Sequence, residues 1–118
     1  MALVFGAIAM AVGVAAGAFG AHALKQTLDA QMLAVWETAV RYHLVHGLAL
    51  VALGLFERAT NRSFPGVAPA LIAGIVLFSG SLYALALSSV RWLGAITPFG
   101  GVAFIGGWSL LAHYALKR

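Results

Sequence analysis

Histidine offers the widest range of chemistry in this chain, and three of the four histidines lie within residues 22–46. Imidazole rings on facing helices can ligate a haem iron, donate a hydrogen bond to a quinone carbonyl or carry protons. His22, His43 and His46 are therefore the first candidates for a functional site. His113 lies far along the chain, and we expect it near the opposite end of the molecule, too far away to join them. The chain has no cysteine, which excludes thiolate metal sites and cysteine nucleophiles.

A polar cluster is the arrangement that these side chains predict. Its expected members are His22, Tyr42 and His46, with Arg41 and Thr97 beside them. We expect the rings of His22 and His46 to point inward at the same depth and to find hydrogen-bond partners there, while His43 is more exposed. Three or four suitably placed ligands are needed for zinc. No carboxylate is spaced suitably near two histidines, so neither a metal site nor a bound cofactor is predicted.

Catalytic motifs are not evident elsewhere in the sequence. The two carboxylates Asp29 and Glu37 are eight residues apart and do not form a recognisable acid–base pair. The Ser79-Gly80-Ser81 segment lies within an apolar run and lacks the strand–turn–helix context of a hydrolase nucleophile. No basic stripe with interleaved aromatic residues indicates nucleic acid as a partner. We therefore expect a protein that is not an enzyme and does not bind nucleic acid.

The composition decides what kind of scaffold positions these residues. Of the 118 residues 63% are hydrophobic and 8% are charged, where a soluble domain has about 25% charged residues. The mean hydropathy is +0.99. These values exclude an ordinary soluble globule, and they exclude disorder because disordered chains are poor in apolar residues. The sequence predicts an integral membrane protein with one domain over residues 1–118, embedded in the lipid bilayer.

Four long runs without charged residues indicate the number of membrane spans. About 20 helical residues cross a hydrocarbon core. The predicted fold is an all-α bundle of four transmembrane helices, with spans over residues 2–22, 35–57, 66–89 and 93–116. Between the first two spans, residues 25–36 carry Leu28, Met32 and Trp36 on one helical face. This spacing predicts a short amphipathic helix lying at the membrane interface.

The distribution of basic residues predicts the orientation in the membrane. Four spans place both termini and the loop after residue 57 on one side. That side holds four basic residues, Arg58, Arg62, Lys117 and Arg118. The other side holds Lys25, Arg41 and Arg91. The positive-inside rule then predicts a protein of the bacterial inner membrane with both termini in the cytoplasm.

Small residues recur at helical spacing and predict where helices pack. Lipid provides no hydrophobic force between helices, so close backbone approach and dispersion must hold them together. The expected helix-packing glycines are Gly6, Gly13, Gly17, Gly20, Gly47, Gly80 and Gly107. In the second span, a further inward-facing stripe comprises His43, His46, Gly47, Leu50 and Gly54. Packing within one bundle and contact between copies both remain open.

Several motifs resemble one known family. They are Gly-Ala-Phe-Gly-Ala-His-Ala-Leu at 17–24, Leu-Phe-Ser-Gly-Ser-Leu-Tyr at 77–83 and Thr-Pro-Phe-Gly-Gly at 97–101. They resemble the YgdD-like family of small inner-membrane proteins, the domain of unknown function 423, which is similar to transmembrane protein 256. The resemblance implies a four-helix membrane protein. His22, Tyr42 and His46 match the family pattern, whereas position 43 is often Gln there, and Gln cannot replace an axial imidazole on haem.

Two functional hypotheses follow from these residues. The first is a structural or accessory membrane scaffold that packs through its Gly- and Ala-rich helix faces, as a homo-oligomer or within a larger membrane complex. The alternative is binding or transport of a lipid, a quinone or a small ion at the cluster of His22, Tyr42 and His46. A co-purifying quinone would favour the second hypothesis, and a stoichiometric protein partner would favour the first.

Overall fold

The computed structural model describes residues 1–117 and consists of four long helices. They are α1 (Ala2–His22), α2 (Ala30–Thr60), α3 (Val67–Ser88) and α4 (Thr97–Lys117). Four helical segments, which contain these helices, are long and apolar enough to cross a membrane. The prediction of an all-α protein with four membrane-spanning helices is confirmed.

Consecutive helices run antiparallel. Gly6 of α1 packs against Leu50 of α2, while Gly20 packs against Trp36. In the same way, α3 and α4 pair Leu71 with Gly107 near one end and Phe78 with Gly100 further along. The N-terminus, the α2–α3 loop and the end of α4 therefore lie together, and we call this the termini end. The α1–α2 and α3–α4 connections lie at the opposite end, the far end.

The helix α2 occupies the centre of the bundle, since it contributes to both hydrophobic cores. Towards the termini end, Leu50 and Leu53 pack with residues of all three other helices and of the α2–α3 loop, namely Ala2, Phe64, Val67, Leu71 and Phe104. Towards the far end, Trp36 packs with Leu24 and Ala86. The outer helices α1 and α4 are less buried than α2. They present broad apolar surfaces suited to lipid or to another helix.

The segment before α2 differs from the expected interfacial helix. Leu24–Gln26 forms only a short 3-10 turn. The side chain of Asp29 then caps α2, accepting a hydrogen bond from the Met32 backbone N–H at 2.8 Å. From this cap α2 continues for 31 residues without interruption, so the helix that contains the second span begins at Ala30, before the predicted start of that span at residue 35. A separate amphipathic helix over residues 25–36 is not clearly formed, and Met32 and Trp36 are buried inside the bundle instead.

A π-helical segment, Ile75–Ser79, divides α3 into two α-helical parts. The wider turn inserts one residue, which rotates everything after it by about 100° relative to an unbroken α-helix. Ser79 and Leu82 consequently face the bundle. The expectation that Gly80 packs against another helix is wrong. A Cβ built at Gly80 has as its nearest neighbour the Ile75 carbonyl of its own helix, 4.0 Å away.

The fourth span starts in two steps. A 3-10 segment over Arg91–Ala95 precedes α4, which begins at Thr97. Pro98 therefore falls in the first turn, where a backbone N–H would have no partner within the helix anyway. Proline at this position explains why the α-helix begins later than residue 93. It also leaves the Thr97 side chain at the α3–α4 contact.

Candidate functional site

The two histidines of α2 lie at mid-depth in the bundle. A Cβ built at Gly13, near the middle of α1, would lie 3.3 Å from Cδ2 of His43. The expectation that His46 starts its span at the depth of His22 is wrong. The α1 helix passes Trp36 at Gly20, and His46 lies ten residues further along α2, about 15 Å deeper.

Both ring nitrogens of His46 form hydrogen bonds within the protein. The side chain is 5% exposed. Its Nδ1–H donates to the Tyr42 carbonyl at 2.7 Å, and its Nε2 accepts from the Trp108 indole N–H at 3.0 Å. The Phe104 ring stacks on it, with centroids 3.6 Å apart. Because the indole can only donate, these contacts select the neutral tautomer protonated on Nδ1. The ring joins α2 to α4.

His43 joins three helices. Its side chain is 4% exposed, and its Nδ1 shares a hydrogen bond of 2.8 Å with the hydroxyl of Tyr83 on α3. The ring also lies against α1 at Ala9 and Gly13. The expectation that His43 is more exposed is wrong. Three residues along a helix correspond to a rotation of about 300°, so His43 and His46 are only about 60° apart and share the inward face.

His22 and Arg41 lie outside this arrangement, because both side chains are exposed. His22 follows the buried Gly20 by two residues, a rotation of about 200° that turns it to the opposite face of α1. Arg41 likewise precedes the buried His43 by two residues. The structure therefore does not bring the five members of the expected polar cluster together, and His22 is corrected from an inward to an outward residue.

Thr97 and Tyr42 take separate positions. The Thr97 hydroxyl forms a hydrogen bond of 2.6 Å with the Ser81 hydroxyl, which ties the start of α4 to α3. The Tyr42 ring is 40% exposed and packs on Phe78, with centroids 4.5 Å apart. The hydrogen bond between Tyr42 and His46 involves the backbone carbonyl of Tyr42 and not its hydroxyl. Tyr42 is thus a neighbour of His46, whereas Thr97 belongs to a different contact near the far end.

Two further polar contacts cross between helices. The Ser79 hydroxyl, placed inward by the π-helical segment, donates to the Ala39 carbonyl of α2 at 2.7 Å. The Trp36 indole N–H donates to the Ala16 carbonyl of α1 at 3.0 Å. Within residues 1–117, every buried side-chain nitrogen and oxygen has a hydrogen-bond partner. These groups connect helices to each other at the depth where an unpaired polar atom would be most costly.

Glycines determine how closely the helices approach. Six of the seven expected glycines lie against another helix, with a neighbouring atom within 3.4 Å of a built Cβ, namely Gly6, Gly13, Gly17, Gly20, Gly47 and Gly107. The stripe of His43, His46, Gly47, Leu50 and Gly54 on α2 is buried throughout. Gly54, on this predicted stripe, and Gly100 also approach another helix closely, and the close approach of Gly74 was not expected from the sequence. Gly74 faces the Phe104 ring, which also supports His46.

Phe104 and Trp108 are the site residues that the sequence did not reveal. They are four residues apart on α4 and hence on one face of it. Gly107 and Gly100 beside them also face α3. The spacing of Phe104, Gly107 and Trp108 predicts that they share one face of α4. It does not show that this face also contacts His46.

Comparison with known proteins shows that the chain is similar to membrane proteins of one family. Residues 16–101 match the family described as "Protein of unknown function (DUF423)". A UPF0382 membrane protein of Staphylococcus saprophyticus is 49% identical over 115 residues, covering 98% of this chain and 96% of the relative. The UPF0382 membrane protein YwdK of Bacillus subtilis is 42% identical, covering 98% and 95%. The UPF0382 inner membrane protein YgdD of Escherichia coli is 41% identical, covering 98% and 88%. No solved structure matches.

Proposed function

Since this chain belongs to the DUF423 family of membrane proteins, we propose that it is a structural or accessory protein of the membrane. Its role is to pack against another copy of itself or against a larger membrane complex. It carries out no catalysis in this proposal. The buried histidines and serines serve to hold its four helices in one arrangement.

The observation that carries this proposal is the pairing of His46. Both of its ring nitrogens are engaged by groups of the protein itself. A ring in this state has no lone pair for a metal and no N–H for a quinone carbonyl. The alternative of a lipid, quinone or ion site depended on a cluster with His22 and Arg41 beside His46, and both of these side chains face away. We therefore favour the structural role.

The outer face of α1 supports assembly with another helix. Its glycine face packs on α2. The opposite face carries a line of exposed alanines at Ala7, Ala11 and Ala18, with Ala15 beside it. Small side chains allow the close backbone approach by which helices associate in lipid. Two faces of small residues on one helix suit a segment that is packed on both sides.

Assembly should be visible when the protein is extracted in a mild detergent. We expect a species clearly heavier than the 12.2 kDa monomer, measured by light scattering and native mass spectrometry of the affinity-purified protein. Ala11→Leu should reduce the assembled fraction because it places a larger side chain on the outer face of α1. Ala112→Leu, at an exposed position of α4, is the matched control and should leave it unchanged.

Two results would contradict this proposal. One is a monomer without partners, both in mild detergent and after chemical crosslinking in intact membranes. The other is a chromophore, seen as a Soret band or as a stoichiometric quinone in the purified protein. The second result would restore the binding hypothesis even if the assembly experiment succeeded.

We further propose that the protein resides in the bacterial inner membrane with both termini in the cytoplasm. The Escherichia coli relative is named an inner membrane protein, and the termini end carries Arg58, Arg62 and Lys117. A green fluorescent protein fused to the C-terminus should therefore fluoresce, since it matures in the cytoplasm. An alkaline phosphatase fused at the same position should be inactive. An active phosphatase would overturn the orientation.

A further inference from the structure

A groove follows the α2–α4 contact from the middle of the bundle to the termini end. It consists of two cavities that meet at Phe56 and Leu111. The deeper cavity, about 200 Å³, is bounded by Ala49 and Ala52 and reaches Trp108. The cavity at the termini end, about 240 Å³, opens beside Arg62. The seven steps along the helix from Ala49 to Phe56 alone correspond to about 10 Å along its axis.

The chemistry of the groove changes along its length. The deeper part is lined by apolar side chains and by the ring of Trp108. At the termini end stands the exposed Arg62, whose guanidinium lies 5.4 Å from the centre of the Phe64 ring. The residues lining this cavity include no acidic side chain. The groove therefore combines a long apolar part between α2 and α4 with a cation at the termini end.

The charged groups at the termini end sum to a net positive charge near Arg62. Glu57, the acidic residue at this end of the bundle, accepts the backbone N–H of Phe64 at 2.9 Å. Arg58 and Lys117 add positive charge at the same end. The Tyr114 hydroxyl donates to the Pro65 carbonyl. The net field at the mouth of the groove is thus positive and attracts anions.

We propose that this groove binds one anionic phospholipid of the bilayer, with its phosphate at Arg62 and an acyl chain along Phe56 and Leu111 towards Trp108. The charge at the mouth selects a negative headgroup, and the apolar length behind it fits a chain. An apolar helix of a partner would leave the cation at the mouth of the groove unused, so the charge favours a lipid. The proposal is independent of the assembly proposed above, because it concerns α2 and α4 and not the outer face of α1.

The test measures lipid selectivity in nanodiscs. The purified, delipidated full-length protein is placed in phosphatidylcholine nanodiscs with spin-labelled phosphatidylglycerol or phosphatidylcholine, and electron paramagnetic resonance gives the motionally restricted fraction of each label. We expect a preference of about fivefold for phosphatidylglycerol, the effect of one basic residue near the surface. Arg62→Gln should abolish this preference. Arg91→Gln, which removes an exposed arginine at the far end, should retain it.

A second pair of variants tests the apolar part of the groove. Ala52→Leu places a larger side chain in the groove and should lower the restricted fraction for phosphatidylglycerol, whereas Ala84→Leu, at an exposed position of α3 that lines neither cavity, should not. Thermal unfolding of each variant shows that it is folded. Equal selectivity for the two lipids in the wild-type protein would overturn the proposal. So would an equal loss with Arg62→Gln and Arg91→Gln, because that result indicates only the general charge of the protein.

Discussion

Replacing Gly6 with alanine should destabilise the protein, whereas the same replacement at Gly106 should leave its stability unchanged or raise it. A Cβ at Gly6 would lie 2.6 Å from the backbone nitrogen of Val51 and 2.9 Å from the Leu50 carbonyl carbon. Backbone atoms cannot rotate away, so α1 would have to separate from α2. Overpacking of this kind costs about 1–3 kcal/mol. A Cβ at Gly106 meets no atom within 4 Å.

The measurement is the unfolding midpoint of each variant in the same detergent. Alanine is a better helix former than glycine by about 1 kcal/mol in water, so Gly106→Ala isolates the propensity effect that Gly6→Ala also contains. The difference between the two midpoints then reports the α1–α2 contact. If both variants shifted the midpoint equally, α1 would not pack on α2 at Gly6 as the structure shows.

The glycine contacts show which part of the fold was predictable. Gly6, Gly13 and Gly20 recur every seven residues, and this period keeps them on one face of a helix. Spacing alone therefore indicated the face of α1 that meets α2. It did not reveal that Gly80 lies outside the contacts. A π-helical turn shifts the face of a helix by one residue, and the inward placement of Ser79 depends on its hydrogen bond to Ala39 in another helix.

The placement of His22 was available from the sequence but was missed. The glycine stripe already placed Gly20 inward, and a rotation of about 200° over two residues then requires His22 to face outward. For His46, the stripe on α2 correctly indicated burial, and the same stripe contradicted the separate expectation that His43 is more exposed, which was wrong. Their depth could not be read from the charge pattern, since it requires knowing that α2 starts at Ala30 and passes Gly20 at Trp36.

The partners of the buried histidines depend on tertiary packing. Trp108 is 62 residues from His46 in the sequence, and no local pattern connects them. Tyr83 reaches His43 because the π-helical segment before it sets the direction of the second half of α3. Sequence reasoning therefore gave the number of helices and the packing face of α1. It could not assign the contacts between helices that are distant in the chain.

His46→Ala should lower the stability by about 1–3 kcal/mol through the lost buried hydrogen bonds alone, and its missing stack on Phe104 adds to this loss. His22→Ala makes the same chemical change at an exposed position, and its effect should stay within about 0.5 kcal/mol. Thermal unfolding in detergent measures both. The absorption spectrum should be the same for the wild type and both variants if His46 is structural.

The contact between His46 and Trp108 can be measured separately from the packing around it. His46→Phe keeps an aromatic ring against Phe104 and removes the acceptor for the indole, while Trp108→Phe removes the donor. Combined in a double-mutant cycle, the two changes should show a coupling of about 0.6 kcal/mol and at most about 1.7, the range found for hydrogen bonds between membrane helices. A coupling of zero, together with equal stability of His46→Ala and His22→Ala, would mean that His46 does not hold α4 to α2. The buried ring would then need another purpose, and the spectrum of the purified protein would be the first place to look for a ligand.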